Sequence, residues 1–391
     1  MGSFFSNLVS PEVRKAYADR RLQLSSPDAE KACNYLLSDA CTDDLSELRA
    51  NRFAFALPER VVRYDRNGKQ RLIFRYPEKD RWLLSLIAWH LHTYDACFGA
   101  NLYSHRLDKN VHSALLRIRT QPGIHEMHAY QTDVKSYGES IDLVPLQSAL
   151  REFITDDAEL LQFLCDFAAE DRYRENGAVF SGTPAVRQGC PLTGFFENVF
   201  LTRLDAELSQ AADVYCRFND DILFYAKNPE ALEKCREILQ NRFAQLGLRE
   251  NTAKACSVAP GEFVRFVCFN VAGSRMDFSG NQVYLWERAA ARLVREMLYL
   301  KRKYRFSDDM AMMLFIRSFA GVRNRYVNLM PFITESRTLK LFDHLLLDAI
   351  RTVGNSGSGK KKYQISYARI CGLGYQSLVH EYYERRKHPE K

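Results

Sequence analysis

Residues 214–226 read VYCRFNDDILFYA, in which two short apolar runs flank Asn219, Asp220 and Asp221. Short apolar runs bounded by polar turn residues are typical of β-strands buried in a sheet. The stretch therefore predicts two antiparallel strands joined by a tight turn that carries two carboxylates. Adjacent carboxylates repel each other, and they are costly at such a turn unless a cation or solvent compensates their charge. The pattern indicates a cation site, with a solvated hairpin tip as the alternative.

Three further Asp-Asp pairs have a simpler explanation. They lie at residues 43–44, 156–157 and 308–309, and each directly follows a threonine or a serine. A hydroxyl residue at the N-cap with acidic residues in the first turn stabilises the N-terminus of a helix. We therefore expect these three pairs to begin helices. Asp220 and Asp221 lie between two predicted strands, where no helix N-terminus can stabilise them.

A third carboxylate follows another predicted strand. Residues 127–132 form a short strand-like run that leads directly to Asp133. Carboxylates at strand ends provide the oxygen ligands that hard cations such as Mg²⁺ prefer. Two Mg²⁺ ions about 4 Å apart support in-line phosphoryl transfer, because they stabilise both the attacking and the leaving oxygen. Asp133, Asp220 and Asp221 are therefore candidate metal ligands.

The rest of the chain alternates between helical and strand-like patterns. Residues 1–60 look helical, with an N-cap signal at Ser10, and residues 61–75 predict a β-hairpin. We expect a helical extension over residues 1–60, a core over residues 61–284 and a basic helical region over residues 285–391. This order predicts an α+β core with helical ends. Further helices are predicted at residues 80–92, 146–169 and 193–208 and from residue 229, and a strand is predicted within residues 263–271.

The composition fits a folded chain with a basic C-terminal region. The 391 residues are 46% hydrophobic and 26% charged, which is enough for two or three packed subdomains. The net charge is +7, and residues 285–391 contain 21 Lys and Arg against 10 Asp and Glu. This excess of positive charge indicates a polyanionic partner for that region, although an ordinary solvated basic surface would give the same composition.

Hydropathy and cysteine usage predict where the protein acts. No apolar stretch approaches the ~20 residues that span a bilayer, so we expect no membrane partner. The ten cysteines are scattered and form no Cys-x-x-Cys pair. Such cysteines are typical of small buried side chains in a reducing compartment. We therefore expect a cytoplasmic location.

Several segments, in this order, resemble the motifs of the reverse transcriptase family. The segment FNDD at residues 218–221 looks like the aromatic-x-Asp-Asp hairpin of the third catalytic motif, and DVKSY at residues 133–137 looks like the first. Each motif alone is loose, whereas their order and spacing together are specific. The resemblance covers roughly residues 60–285. The other matching segments are residues 67–73 (fingers hairpin), 101–106 (the segment after it), 187–194 with Glu197 and Asn198 (second motif), 246–254 (fourth motif, which supplies a lysine) and 263–269 (primer grip).

The resemblance implies both a fold and an activity. The fold would be a right-hand polymerase of the α+β class, with fingers and palm built on antiparallel sheet and a helical thumb. The activity would be that of an RNA-directed DNA polymerase, which binds an RNA template and dNTPs and makes a DNA product. Asp133 and Asp220 would be the main ligands of two Mg²⁺ ions, or of Mn²⁺, and Asp221 would support them.

The resemblance also assigns roles to polar residues near these carboxylates. Lys69 and Arg71 would neutralise the triphosphate, unless they belong to an exposed, solvated hairpin. Lys254 could donate a proton to pyrophosphate, and a plain surface lysine is the alternative. Gln188 and Gly189 would line the nucleotide pocket, where glycine allows close backbone approach, unless they form a plain loop before a helix.

One of the departures from the family pattern concerns the sugar of the nucleotide. Reverse transcriptases normally carry Phe or Tyr five residues after the first catalytic aspartate, where the ring blocks the ribose 2′-hydroxyl. Here that position is Gly138, and Tyr137 precedes it. Either Tyr137 acts as a substitute or the discrimination between sugars is relaxed. We predict weakened exclusion of ribonucleotides.

The subgroup and the biological role follow from the resemblance alone. The compact form resembles the bacterial abortive-infection and defence-associated reverse transcriptases, which implies a noncoding RNA template and antiphage defence. A retron-type enzyme, a template-independent or protein-primed polymerase, and a non-enzymatic RNA-binding scaffold are the alternatives. Protein priming would use a tyrosine, although C-terminal tyrosines also serve helix packing. The C-terminal tyrosines are Tyr363, Tyr367, Tyr375, Tyr382 and Tyr383. Whether the protein forms a homo-oligomer or binds a second protein subunit is left open.

Overall fold

The computed structural model describes residues 3–24, 28–64, 68, 70–356 and 359–387. The chain divides into two compact units. The first consists of Met1–Ala114 and His128–Ser257, and the second of Leu115–Met127 and Val258–Lys391. The three-part division expected from the sequence, with boundaries near residues 60 and 284, stays a prediction. Among the described residues, none forms a helix that is both long and apolar enough to cross a membrane.

Helices and strands alternate in the first unit, and helices dominate the second, as the sequence predicts. The strands are β1 (Glu59–Tyr64), β2 (Gln70–Arg75), β3 (His128–Thr132), β4 (Arg172–Glu175), β5 (Ala178–Ser181), β6 (Val214–Phe218), β7 (Asp221–Ala226), β8 (Cys256–Val258), β9 (Val264–Phe266), β10 (Phe269–Ala272) and β11 (Arg275–Phe278). The α-helices are α1 (Phe4–Val9), α2 (Pro11–Gln23), α3 (Ala29–Leu36), α4 (Asp39–Arg49), α5 (Glu78–His90), α6 (Val111–Arg119), α7 (Leu143–Phe153), α8 (Ala158–Ala169), α9 (Thr193–Phe200), α10 (Thr202–Ala211), α11 (Pro229–Gln245), α12 (Gly280–Tyr304), α13 (Asp308–Leu329), α14 (Arg337–Gly354), α15 (Tyr367–Gly372) and α16 (Leu378–Lys387).

The predicted hairpin at residues 61–75 is confirmed, and it extends into a larger sheet. β1 pairs antiparallel with β2 and also pairs with β4, which gives the strand order β2-β1-β4-β5. The turn residues 65–67 and 69 lie outside the described residues. The β4–β5 hairpin was not predicted. Its turn contains Asn176 and Gly177, both with positive φ, which is the signature of a type I′ turn.

A second sheet holds the two strands around the Asp-Asp turn. Its order is β6-β7-β3-β8, so β3 lies directly beside β7. Both the strands at residues 214–226 and the strand before Asp133 are therefore confirmed. The predicted helix at residues 193–208 is interrupted at Leu201, which leaves helical geometry with φ of −107°. The hydroxyl group of Thr202 donates a hydrogen bond to the Val199 carbonyl at this break (2.9 Å).

The prediction for the other Asp-Asp pairs was right once and wrong twice. Residues 308–309 begin α13 after the N-cap Ser307, as expected. Residues 43–44 lie inside α4, because Ser38 is the N-cap of that helix. Residues 156–157 precede α8, and Asp157 itself is the N-cap, accepting a hydrogen bond from the Leu160 N–H (2.8 Å). The pair at residues 43–44 also has a structural role, because the Asp44 carboxylate accepts a hydrogen bond from the Tyr35 hydroxyl (2.7 Å). Each of the three pairs therefore has a structural explanation.

The second unit has its own aromatic core. The indole of Trp286 on α12 stacks on Phe342 of α14 with ring centroids 4.6 Å apart, and it contacts Phe319 of α13 edge-on. Asp343 then fastens the end of the chain to α14. Its carboxylate accepts hydrogen bonds from the Tyr375 hydroxyl (2.8 Å) and from the first N–H groups of α16. β9, β10 and β11 form a separate three-stranded sheet in this unit.

Candidate active site

The β6–β7 hairpin presents Asp220 at its tip. Phe218 pairs with Asp221 across the hairpin, so Asn219 and Asp220 form the turn. Asn219 has a φ of 58°, a left-handed conformation that asparagine tolerates better than most residues. The Asn219 N–H donates a hydrogen bond to the hydroxyl of Ser104 (2.8 Å). The turn is therefore held by a contact from outside the hairpin as well as by its own strands.

A buried ion pair lies beneath this turn. Arg217 is fully buried and donates two hydrogen bonds to the Asp205 carboxylate, at 2.7 and 2.6 Å. The Tyr215 hydroxyl donates a third hydrogen bond to the same carboxylate (2.7 Å). The guanidinium also donates to the carbonyl groups of Asn198 and Asn219, both at 3.1 Å. Because a buried charge is tolerated only when it is paired, this network fixes the backbone that carries Asp220.

Asp133 reaches the same place from the neighbouring strand. Thr132, the last residue of β3, pairs with Ile222 of β7, so the next residue along the chain lies beside the Asp-Asp turn. As a whole residue, Asp133 is only 3% exposed. Its Oδ2 accepts a hydrogen bond from the Lys254 ammonium group. Within the described residues, its Oδ1 is buried and has no hydrogen-bond partner.

The backbone around Asp133 also positions Lys254. Val134 forms a β-bridge with Glu250, and the N–H of Asn251 donates to the Asp133 carbonyl (2.9 Å). Lys135 donates its N–H to the carbonyl of Arg249 (2.9 Å). The segment that the sequence analysis matched to the fourth motif is therefore attached to the end of β3, three residues before Lys254.

These groups face one cavity of about 620 Å³ within the first unit. Its walls bring together most of the residues that the sequence analysis selected. Among the selected residues, two carboxylates, two cations and Gln188 surround the same space, a set of groups that can hold a cation next to an anionic ligand. The selected residues in the walls are Arg71, Asp133, Tyr137, Gly138, Gln188, Asp220 and Lys254.

The carboxyl groups in this cavity influence each other. Burial raises the pKa of the Asp220 carboxyl, and the charge of Asp133 raises it further, while Lys254 and Arg71 act in the opposite direction. Burial, followed by the charge of Asp220, raises the pKa of Glu197 to about 7. A nearby cation stabilises the ionised form of a buried carboxyl group. The cavity therefore favours a positively charged ligand.

Two of the selected residues that the structure describes do not line the cavity. Asp221 is the first residue of β7 and is not among the residues that line the cavity. Gly189 packs against β2 instead, since a Cβ atom there would lie 2.7 Å from Ile73. Lys69 lies outside the described residues. Supporting roles for Asp221, Gly189 and Lys69 stay predictions.

Tyr137 and Gly138 are arranged differently from the expected sugar gate. The Tyr137 ring is only 4% exposed, and its hydroxyl donates to the backbone carbonyl of Glu197 (2.6 Å). The space next to Gly138 is taken by the Glu197 carboxyl group. Glu197 belongs to the segment that resembles the second motif, and the resemblance assigns it no role. No sequence signal pairs it with Gly138, because the contact joins distant parts of the chain.

His105 is a second cavity residue without an assigned role. It lies in the wall, and burial lowers the pKa of its imidazole group, with a smaller effect from the charge of Arg217. A Cβ atom on Gly194 would lie 2.5 Å from the imidazole ring, so glycine at position 194 makes room for it. The sequence analysis included His105 in a variant motif segment.

Comparison with known proteins agrees with this arrangement. Residues 63–274 match the family described as "Reverse transcriptase (RNA-dependent DNA polymerase)". None of the curated proteins matches the sequence. Among solved structures, the RNA-dependent RNA polymerase of a human picobirnavirus is similar, with a TM-score of 0.51 and 13% identity over 84% of this chain and 65% of that one. This likeness confirms the right-hand polymerase fold of the α+β class.

Two telomerase structures are also similar, at lower TM-scores. A C-terminally truncated apo telomerase from Candida tropicalis has a TM-score of 0.45 and 14% identity, over 57% of this chain and 55% of that one. The telomerase of Candida albicans in complex with a TWJ fragment of telomeric RNA has a TM-score of 0.45 and 12% identity, over 91% and 68%. The chain thus spans about half the length of the first of these structures.

Proposed function

Because the chain belongs to the reverse transcriptase (RNA-dependent DNA polymerase) family, we propose that it copies an RNA template by adding dNTPs to a 3′-hydroxyl. The observation that carries the proposal is the cavity in which Asp133 and Asp220 face Arg71 and Lys254. In this reaction the 3′-oxygen forms a bond to the α-phosphorus and the bond to the pyrophosphate oxygen breaks. Negative charge develops on the leaving group, where fixed cations stabilise it.

The carboxylates fit a divalent ion, although they do not form a complete cage. Among the described residues, no group of three or more His, Cys, Asp or Glu side chains is arranged to hold a metal ion. Mg²⁺ is usually bound through one or two carboxylates together with water and substrate phosphates. The unpartnered Asp133 Oδ1 and the neighbouring Asp220 carboxylate provide two such ligands. Two Mg²⁺ or Mn²⁺ ions bound there would activate the 3′-hydroxyl and stabilise the pyrophosphate.

The cations of the cavity have separate roles in this proposal. Arg71 lines the cavity and would bind the triphosphate, as the family resemblance implies. Lys254 neutralises Asp133 in the structure, so it must exchange that partner before it can protonate pyrophosphate. Gln188 contributes an amide to the cavity wall, and its carbonyl accepts a hydrogen bond from the Phe74 N–H (2.8 Å). This hydrogen bond connects the wall of the cavity to β2, the strand that follows Lys69 and contains Arg71.

The experiment is incorporation of dNTPs by the purified protein, with Asp220→Asn as the inactive variant. Poly(rA) with an oligo(dT) primer is the first template, and Mg²⁺ and Mn²⁺ are tested separately. Asp213→Asn is the matched control, because Asp213 makes a surface ion pair with Lys227. We expect activity in the control and none in Asp220→Asn. Incorporation that survives Asp220→Asn would contradict the assigned site, and its absence from the wild type with every template would favour the scaffold alternative.

The same assay separates the polymerase alternatives. Synthesis without template would favour a template-independent enzyme, and product attached to the protein would favour protein priming. The C-terminal tyrosines divide into two groups in this respect: Tyr375 and Tyr382 are buried, as expected for helix packing, whereas Tyr363, Tyr367 and Tyr383 are exposed. Phenylalanine variants of the exposed group would abolish attachment if one of them were the primer.

We propose a biological setting on the family resemblance alone: a bacterial cytoplasm, a noncoding RNA template and antiphage defence. Sequencing of the nucleic acid that copurifies with the wild type and with Asp220→Asn tests the template. A single structured RNA bound by both proteins, with matching DNA only in the wild type, is the expected result. Random cellular RNA in both would contradict a dedicated template. Size-exclusion chromatography with light scattering would show whether a homo-oligomer or a second subunit is present.

A further inference from the structure

Glu197 occupies the space that a side chain at position 138 would fill. A Cβ atom built on Gly138 would lie 3.0 Å from Glu197 Oε1, which is closer than an ordinary van der Waals contact. Glu197 is on α9, where the residues on both sides of it are buried, and it is itself 8% exposed. Its carboxyl group and Gly138 both line the cavity that contains Asp133 and Asp220. A carboxyl group therefore replaces a side chain at this point of the wall.

Tyr137 holds this arrangement in place. Its hydroxyl donates a 2.6 Å hydrogen bond to the backbone carbonyl of Glu197, and both groups are buried. To move its ring over the cavity, Tyr137 would have to break this bond and leave the apolar core in which it packs. The structure therefore gives the position beside Gly138 to Glu197, and Tyr137 supports the helix that carries it.

We propose that the Glu197 carboxyl group accepts a hydrogen bond from the ribose 2′-hydroxyl of the incoming nucleotide, so that the site admits ribonucleoside triphosphates. This inference rests on the proposed function and names the sugar that the same site selects. An aromatic ring at position 138 would exclude the 2′-hydroxyl sterically. A carboxyl group can instead accept its proton, since a carboxylic acid has acceptor oxygens in either protonation state.

The chemistry of a buried acceptor explains why the effect should be large. A deoxyribose has no donor at the 2′ position, so the hydrogen bond between the sugar and Glu197 would be lost when dATP binds. A site that hydrogen-bonds a substrate hydroxyl group favours the substrate that carries it over an analogue that lacks it. This preference offsets the ordinary preference of the family for deoxyribose. We therefore expect the wild type to use ATP about as well as dATP, so that both nucleotides are incorporated.

The experiment measures kcat/KM for ATP and dATP on a poly(U) template with an oligo(dA) primer, for wild type and variants. Glu197→Leu replaces the hydrogen-bond acceptor with an apolar side chain of similar size. We expect it to shift the ATP-to-dATP ratio at least about tenfold toward dATP. Glu139→Gln is the matched control, because Glu139 lines the same cavity but is exposed, and its ratio should stay within about twofold of wild type.

Two additions make the result decisive. Gly138→Phe combined with Glu197→Ala places a ring where the carboxyl group was, and it should favour dATP more than Glu197→Leu does. If a variant incorporates no nucleotide, the same ratio is read from the Kd values of ATP and dATP in Ca²⁺, by competition with a fluorescent nucleotide. A wild type that prefers dATP tenfold, or a ratio unchanged by Glu197→Leu, would overturn the proposal. Absence of all incorporation by the wild type would instead overturn the proposed function, with the Kd ratio still testing Glu197.

Discussion

Lys254 donates a hydrogen bond to one carboxylate oxygen of Asp133, while the other oxygen of that carboxylate is buried without a partner in the described part of the chain. One carboxylate oxygen of Asp133 is thus paired with Lys254, and the other oxygen is available to a bound cation. The Lys254 side chain is 47% exposed, whereas that of Asp133 is 4% exposed. The lysine can therefore move toward a bound triphosphate more easily than the aspartate can.

Substitution of Lys254 by methionine should lower kcat for nucleotide addition by about 10²-fold, because it removes a proton donor near the leaving group. Methionine keeps much of the length of the side chain and removes only the charge. Lys135→Met is the control, since Lys135 is an exposed lysine two residues after Asp133. Steady-state extension assays at saturating template measure the effect. Activity within about threefold of wild type would identify Lys254 as a plain surface lysine.

The Arg217–Asp205 ion pair should dominate the stability of the turn that carries Asp220. Asp205→Asn removes the partner charge and leaves Arg217 buried, which costs about 3–5 kcal/mol in comparable cases. Arg203→Ala breaks the surface pair with Glu152, and it should cost about 1 kcal/mol or less. Urea unfolding followed by far-UV circular dichroism measures both. Equal losses for the two variants would show that the buried pair has no special role.

The strands that carry the site could be predicted because their patterns are local. The apolar runs around Asp220 and before Asp133 gave the correct strands, and the motif order placed Lys254, Gln188 and Arg71 in one cavity. The β4–β5 hairpin was missed although its Asn-Gly turn is a local signal. Residue type is sufficient for strands and tight turns of this kind, since each depends on neighbours along the chain, whereas the cavity was predicted only from the order of the motifs.

Other features depend on contacts that no sequence period encodes. The hydrogen bond between Tyr137 and Glu197 joins residues 60 positions apart, and it decides which side chain stands beside Gly138. The helix break at Leu201 is another example, because the amphipathic pattern continues through it. A hydroxyl residue followed by two acids also failed to mark the N-cap at residues 43–44, where Ser38 begins the helix earlier.

Gly189 should tolerate alanine less well than Gly182, although both have a φ near +100°. Alanine pays the cost of a left-handed conformation, roughly 1 kcal/mol or more, at either position. Only at Gly189 would the new Cβ atom also collide with Ile73, at 2.7 Å, and approach the Phe74 carbonyl, at 3.2 Å. Overpacking of this kind typically adds about 1–3 kcal/mol. Thermal unfolding of the two variants gives the difference, and similar melting temperatures would contradict the close packing of Gly189 on β2.

Gly189→Ala should also reduce dNTP affinity, because the backbone hydrogen bond between Phe74 and Gln188 lies beside the collision. The expected result is a raised KM for dNTP with a smaller change in kcat, since Gln188 lines the cavity without reacting. Gly182→Ala should leave both values close to wild type. A loss of kcat without a change in KM would instead indicate that the substitution disturbs the catalytic carboxylates.

His90 should make the protein less stable in mild acid. Its imidazole is 8% exposed and lies against Phe4 with ring centroids 4.7 Å apart, and burial lowers the pKa of the imidazole. Protonation therefore favours the unfolded state, in which the pKa of histidine is about 6.5. The stability contribution is fully present above that value and is lost as the pH falls toward the folded-state pKa and below it.

Replacement of His90 by leucine should therefore flatten the decline in melting temperature between pH 7.5 and pH 5.5. Leucine fills the apolar site and cannot be protonated, so the acid-sensitive part of the stability disappears. His125→Gln is the control, because the His125 side chain is 66% exposed and is not buried as that of His90 is. It should keep the wild-type slope, to which the buried His105 also contributes. A His90→Leu slope as steep as wild type would mean that acid sensitivity arises from groups other than this buried imidazole.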